Sequence, residues 1–584
     1  MKFAFALCIL LAACGDNIRG EQPLEPGPSG WKIDVDMSGL DRFVPAGTTT
    51  WTVGGHARSS LPLINVDVAG TAAPLMDGDF ARDVETSLGM TIVPIIARDS
   101  EAHARQAHRT LLNAHFLPEG AINDRIAAVV LSDQVLASLN ATIKEQTDQI
   151  DIAGQIMAQD PLFEDANCTI RPVSATSGKL VVELQRKSGT QLWFNFKLPN
   201  LLVTFAGECR SAGIPIRIAG SIGGTFDVLT RLTANAPPAG ETCLSSFDHT
   251  TPTCAISGWV YDIYSPDGPA QTIIIRALAP TSAQAQAMIH DGIVSGADQL
   301  LTEQLSNLEV FDQTQTFPGV GGEPITMHVC LAGLGPENGK LVIRMAGDIA
   351  GAGTREAPGA PMLPAGAPVA KDNEMLLDTG LITQLVFSSW RDNAFVQEVP
   401  QAVEISLLAL LVRELTDAFP NATHADIAVD GELPPFIRAT PDVAGADLRL
   451  EIGDLMVTLS VEGTMIMKFN IHIALDIDFV AKDGMLVPMS VGSQVDATLI
   501  DELYDGPDDA LEFAIESGLS QAVGDIFAGG GGIGIPEVIP GIGRITDILP
   551  DEGGRYLRLK LAPAVAPFAP GKLTLARPIQ LFGR

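Results

Sequence analysis

Three histidines and a glutamate crowd the segment "EAHARQAHRTLLNAH" (101–115), the first residues of this chain whose types could do chemistry. Imidazole nitrogens and carboxylate oxygens are zinc ligands, but a site needs three or four of them converging on one point. His103, His108 and His115 are spaced by five and then seven. Odd spacings put neighbours on opposite faces of a strand, and neither matches an i, i+4 helix pair. No metal site is expected there. The glycine run "GGGGIGIPE" (529–537) lacks the Lys-Ser/Thr of a phosphate-binding loop and reads as a flexible exit from a helix. Gly-x-Ser-x-Gly and His-Glu-x-x-His are both absent. Acidic pairs such as that in "DIDF" (476–479) sit on a strand and are read as solvated. The chain is expected not to be an enzyme, and no cofactor or resident metal is implied.

Charge and cysteine usage narrow the partners. Seventy acidic residues against 37 basic ones give a formal net charge of −33 over 584 residues. Phosphate neutralisation requires basic clusters, so nucleic acid is excluded as a partner. The same balance argues against electrostatic docking on anionic lipid. The first thirteen residues form an apolar leader far shorter than the roughly 20 residues that span a bilayer. Leu11-Ala12-Ala13-Cys14 resembles the lipobox of bacterial lipoproteins, so Cys14 is expected to be the lipid-attachment site. In those proteins a glycine after the cysteine, here Gly15, permits export to the outer membrane. The expected location is the cell envelope, as an outer-membrane lipoprotein; an ordinary secretory signal is the alternative. Exported chains pair cysteines, and no C-x-x-C argues for zinc instead. Cys243 and Cys254 bracket "LSSFDHTTPT" and are expected to be bridged.

The elements follow in order. Residues 14–44 read as a polar, Pro- and Gly-containing linker. Residues 45–116 read as short strands between turn signals, among them "TTTWTVGGHA" and "GMTIVPIIARDS". They resemble the small immunoglobulin-like modules of bacterial surface proteins, which implies a β-sandwich and possible protein-partner binding. Beyond them one plan occurs twice. "VLSDQVLASLNATI" (130–143) matches "MLLDTGLITQLVFS" (375–388), "FKLPNLLVTFAG" (196–207) matches "LEIGDLMVTLSVEG" (450–463), and "IVSGADQLL" (293–301) matches "IESGLSQAV" (515–523). Three matches in one order imply an internal duplication. The copies span 117–350 and 373–584, around a Pro/Ala/Gly linker at 351–372.

Each copy reads helix, strands, helix. "FNIHIALDIDF" (469–479) alternates throughout, which predicts a long strand with one greasy and one wet face. Pro507 and Asp508 are expected to open a helix striped by Leu511, Ile515, Leu519, Val523 and Ile526. "LLDTGLITQLVFSSW" (376–390) is apolar on nearly all sides, which leaves open what covers it.

"EMLLDTGLITQLVFSSWRDNAF", "ELPPFI" (432–437), "LRLEIGDLMVTLSVEG" and "GIGIPEVIPGIG" (532–543) together resemble the tubular lipid-binding superfamily, which includes bactericidal/permeability-increasing protein. The resemblance implies an α+β fold of two tandem modules. In each, long helices are wrapped by highly twisted antiparallel sheet, and a small all-β sandwich precedes them. It implies a Cys168–Cys209 disulfide, which leaves Cys330 unpaired. It also implies hydrophobic tunnels that hold acyl chains of a lipid or other amphipathic ligand. Those tunnels are expected to be lined by Val135, Leu136, Leu139 and Ile143 in the first module, and by Leu381, Leu385, Val386 and Trp390 in the second. Lipid binding, storage or shuttling without catalysis is the expected function. A structural or adhesive lipoprotein acting through its immunoglobulin-like domain is the alternative.

Overall fold

The computed structural model describes residues 33–36 and 42–563, apart from 165–166, 188–190, 212, 235–241, 245–246, 307–312, 319–323, 365, 367–368, 411, 483, 505–509, 514, 518–534 and 540–541. Cys14 and the leader lie outside the described residues. So do Pro507, Asp508, Leu519, Val523, Ile526 and the glycine run as far as residue 534.

Among the described residues 58% lie in strands and 17% in helices. The expectation of long helices wrapped by sheet is therefore corrected: the bulk of the fold is curled sheet. Gln191–Ser211 and Ile214–Ala234 are 21 residues each, Thr464–Lys482 is 19 and Met485–Glu502 is 18. Such strands satisfy one another's backbone groups along nearly their whole length. They also line up enough inward side chains to build a core among themselves. Helices α1 (Asp133–Thr147), α2 (Ile152–Met157), α3 (Pro269–Leu278), α5 (Thr379–Arg391), α6 (Ile405–Leu408) and α7 (Glu414–Ala418) are short. Among the described residues only α4 (Ser282–Ser306) reaches 25 residues, and it lies against one sheet rather than inside a wrapping.

The strand order of the central eight-stranded sheet is Gln313–Pro318, Pro324–Glu337, Lys340–Ala350, Asn123–Val130, Glu374–Asp378, Tyr556–Ala562, Gly543–Pro550, Val538–Ile539. Its middle pair is antiparallel, with Ala128 opposite Leu376. The strands at that pair lead directly into α1 and α5, the two helices whose sequences share the VLSD/MLLD pattern. A seven-stranded sheet lies on either side in sequence, one built on Gln191–Ser211 and Ile214–Ala234, the other on Leu448–Val461 and Thr464–Lys482. The N-terminal region is a four-stranded and a six-stranded sheet sharing a core of Val53, Val66, Phe80, Val93 and Ile95.

Residues 469–479 keep the expected greasy face: Phe469, Ile471, Ile473, Leu475 and Ile477 are all buried. The expected wet face is not wet. Asn470, Ala474 and Asp476 are buried too. The Ala104–Leu117 strand of the N-terminal region docks on this face. Asn470 Nδ2 donates to His108 O at 3.2 Å, Thr110 N to Asp454 Oδ1 at 3.1 Å, and Arg105 Nε to Ile500 O at 2.9 Å. Gly453 permits the approach, because a Cβ there would lie 2.7 Å from the Thr110 methyl. Burial pushes the Asp454 carboxyl up from its ordinary range, while Arg42 nearby lowers it.

His108 of the N-terminal region and His472 of the Thr464–Lys482 strand meet at this docking surface. Burial holds both imidazoles below their ordinary value, against the raising effect of Asp496 on both and of Glu451 on His472. Below the unfolded value of about 6.5, the unfolded chain takes up protons that the folded chain refuses. The stability these groups contribute is thus present above about pH 6.5 and is lost as pH falls through their folded values. Thermal midpoints at pH 7.5 and 5.5 should differ more for the native chain than for His108→Gln/His472→Gln. Equal differences would show that the pair plays no part.

Two disulfides are present among the described residues. Cys168–Cys209 is the expected one. Cys243, however, is bonded to Cys330 and not to Cys254. Cys254 is committed to the first module's sheet, opposite Val228. Leu244 N instead donates to Leu331 O at 2.7 Å, which lays Cys243 beside the Pro324–Glu337 strand. The Cys254 thiol is half-buried, and desolvation pushes its pKa up to about 11.

Candidate functional site

The inner face of the first module's sheet is an unbroken apolar surface carrying Leu198, Val203, Phe205, Ile216, Ile218, Ile222 and Ile263. Alternation on paired strands produces it, since residues i and i+2 share a face. α2 closes one side with Ile152 and Ile156, while α3 and α4 close the other with Ile275, Ala285, Ile289 and Ile293. The α4 stripe at 285, 289 and 293 follows the i, i+4 rule, so a single line of small and branched side chains faces the sheet.

Packing is incomplete between them. A cavity of about 200 Å³ lies between Phe205, Ile222 and Ile263 on the sheet and Ala285, Met288 and Ile289 on α4. Its geometry depends on Gly220. Phe205, Gly220 and Ile263 are cross-strand neighbours in one row. A Cβ at Gly220 would meet the Asp262 carbonyl oxygen at 2.3 Å and the Phe205 ring at 2.7 Å, so the missing side chain is what lets both come this close. The hydroxyl of Tyr261, also in the lining, donates to Pro280 O at 2.9 Å, and Trp259 Nε1 donates to Ser282 Oγ at 3.1 Å. Together they tie the α3–α4 junction to the sheet. Burial pushes the Tyr261 hydroxyl above its ordinary pKa, so it stays a neutral donor. The cavity has no charged lining residue, and Met288 is half exposed at its edge. The site can hold apolar matter.

No protein-family model matches the chain, and no curated protein matches it. Solved structures do. A lipopolysaccharide binding protein is similar at 9% identity and a TM-score of 0.39, over 76% of this chain and 99% of that one. P47 of Clostridium botulinum E1 is similar at 8% identity and 0.21, over 75% and 99%. P47 from Clostridium botulinum A2 is similar at 10% and 0.23, over 75% and 96%. These likenesses are too loose for anything to be transferred from them, and the site is read from its own residues.

None of the eight expected tunnel residues is in the cavity lining. Val135 and Leu136 are buried in the large core cluster of the second module and central sheet, and Leu139 and Val386 pack against it. Ile143, Leu381 and Leu385 are half-buried. Trp390 is buried apart from these, stacked with Phe387 and donating from Nε1 to Gly431 O at 2.6 Å.

The question of what covers α5 has an unexpected answer. Its covered side mixes small and polar residues with two aromatics: Thr379, Gly380, Thr383, Gln384, Phe387, Ser388, Ser389 and Trp390 are buried, while its leucines are half-buried. Thr383 Oγ1 donates back to Thr379 O at 3.1 Å, which satisfies one hydroxyl without a tertiary partner. Met362 of the linker strand Ala360–Met362 crosses at Gly380, its sulfur 2.5 Å from where a Cβ would stand.

The histidines expected not to form a metal site have separate partners: His103 meets Asp99 at 2.9 Å and His108 meets Thr498 at 2.8 Å. Two of the three lining residues on α4, Ala285 and Ile289, belong to the stripe at 285, 289 and 293, but Met288 does not, and a stripe does not reveal that the space above it is unfilled.

Proposed function

We propose that the first module binds one acyl chain, or a similarly slender apolar ligand, between its sheet and α4, and does so without catalysis. The observation that carries this is the apolar cavity of about 200 Å³ beneath Ala285, Met288 and Ile289. Each buried methylene contributes about 0.8 kcal/mol, so six of them supply roughly 5 kcal/mol with no charged group required. That suits a chain of net charge −33. The helices beside the cavity also expose Ile273, Ile274 and Met288, apolar surface over which a chain can enter. In this reading Cys14 anchors the protein to the outer membrane and the N-terminal sandwich is an immunoglobulin-like mount. The packed core of the second module and its docked sandwich favour a scaffold role for that half.

Protein purified without detergent should release lipid into an organic extract, read by mass spectrometry. Ala285→Phe fills the cavity at a cost of about 1–3 kcal/mol, and should abolish uptake of a fluorescent fatty-acyl probe. Leu385→Asp, outside the cavity, should leave that uptake unchanged. A lipid-free native protein that ignores the probe would refute the reading.

A further inference from the structure

Cys330 and His328 occupy alternate positions of the Pro324–Glu337 strand and so project to the same face. Cys243 reaches that face from the segment that precedes the Phe247–His249 strand. The ligand-capable atoms of Cys243, His328 and Cys330 all lie within 4.8 Å of one another, the one such group of three among the described residues. His328 Nδ1 meets Asp348 Oδ1 at 3.0 Å across the strand pair, where the two residues are direct register partners. With Nδ1–H donating to the carboxylate, Nε2 carries the lone pair. A carboxylate behind an imidazole is the arrangement that orients histidine ligands of metals.

We propose that Cys243, His328 and Cys330 are a redox-gated site for a thiophilic divalent cation of the zinc type. In the oxidised state the two sulfurs are bonded to each other and cannot serve as thiolates. A dithiol reductant delivers two electrons and two protons to them and is itself converted to a disulfide. The cation then displaces both thiol protons and takes two thiolates and one neutral imidazole, leaving a fourth position for water. The ligands stay close after the sulfur–sulfur bond opens, because two contacts hold them independently of it. Leu244 N donates to Leu331 O at 2.7 Å, and Asp348 fixes His328. The softness of two sulfurs selects zinc-type ions over calcium or magnesium.

The test uses the full chain, reduced with a phosphine under argon, freed of reductant and titrated with Zn2+ against a chromogenic chelator. The reduced chain should bind about one Zn2+ and release protons on doing so, while the oxidised chain should bind none. Co2+ in its place should give thiolate-to-metal absorption. Cys243→Ser/Cys330→Ser should abolish binding, and Asp348→Asn should weaken it roughly 10–100-fold. Binding by the oxidised chain would overturn the proposal, as would undiminished binding by Cys243→Ser/Cys330→Ser or by His328→Ala. Reduction also opens Cys168–Cys209, so far-UV circular dichroism accompanies each titration. A reduced chain that unfolds and is not restored by Zn2+ would overturn it equally.

Discussion

Asp378→Ala should destabilise the protein by about 3–5 kcal/mol, the cost of leaving a buried charge without its partner. Asp378 is fully buried, and its Oδ2 accepts from Arg555 Nη2 at 2.7 Å, Arg555 Nε at 3.0 Å and Asn123 Nδ2 at 2.9 Å. Its Oδ1 accepts from Gly380 N at 2.7 Å and so caps α5. Arg555 in turn donates to Leu363 O at 3.1 Å, and its own carbonyl accepts from Thr379 Oγ1 at 2.8 Å. One carboxylate therefore joins the two middle strands of the central sheet, the linker, α5 and the last described strand. Removing it strands the guanidinium where water cannot replace the lost contacts, and uncaps the helix at a further cost of about 1 kcal/mol. Urea midpoints followed by circular dichroism measure the loss. Replacing both partners by apolar residues, Asp378→Leu with Arg555→Met, should recover much of it. A single-variant loss under 1 kcal/mol would mean that the pair is not closed as described.

Cys168→Ser/Cys209→Ser should lose about 4 kcal/mol on loop-entropy grounds, given the 41-residue separation of the bridge. The bond joins register partners at the end of two paired strands. Ile170 and Phe205, which line the cavity, lie on those strands within four residues of the sulfurs. The variant should accordingly lose acyl-probe uptake at a lower urea concentration than it loses the buried core of the second module. Fluorescent-probe release and near-UV circular dichroism, followed in one titration, separate the two transitions. Coincident transitions at the native midpoint would show that the bridge contributes nothing.

The sequence determined what is local. Alternation at 469–479 specifies which side chains share a face, and five of the six apolar ones are buried there. Turn signals place the short N-terminal strands. The stripe at 285, 289 and 293 marks the inner side of α4. Tertiary structure decided what covers each face. Asn470 looks like a solvent-facing residue, because nothing near it in the chain shows that a strand will dock on it and accept its hydrogen bond at His108 O, 362 residues away. Asp476 is covered by Arg449 and the backbone of Asp442. The leucines of α5 look like the side to be buried. Yet the linker strand approaches closely at Gly380, where a side chain would meet Met362, and Thr383 can be buried because the helix backbone satisfies its hydroxyl. Cys254 is near Cys243 in sequence, but strand register holds Cys254 in one sheet and a single backbone hydrogen bond carries Cys243 to another. The cavity is the extreme case. Hydrophobic periodicity reports that a side chain points inward, while an unfilled volume is the difference between two curved surfaces. That difference depends on curl, on one absent Cβ at Gly220 and on where α4 comes to rest, none of which any single segment encodes.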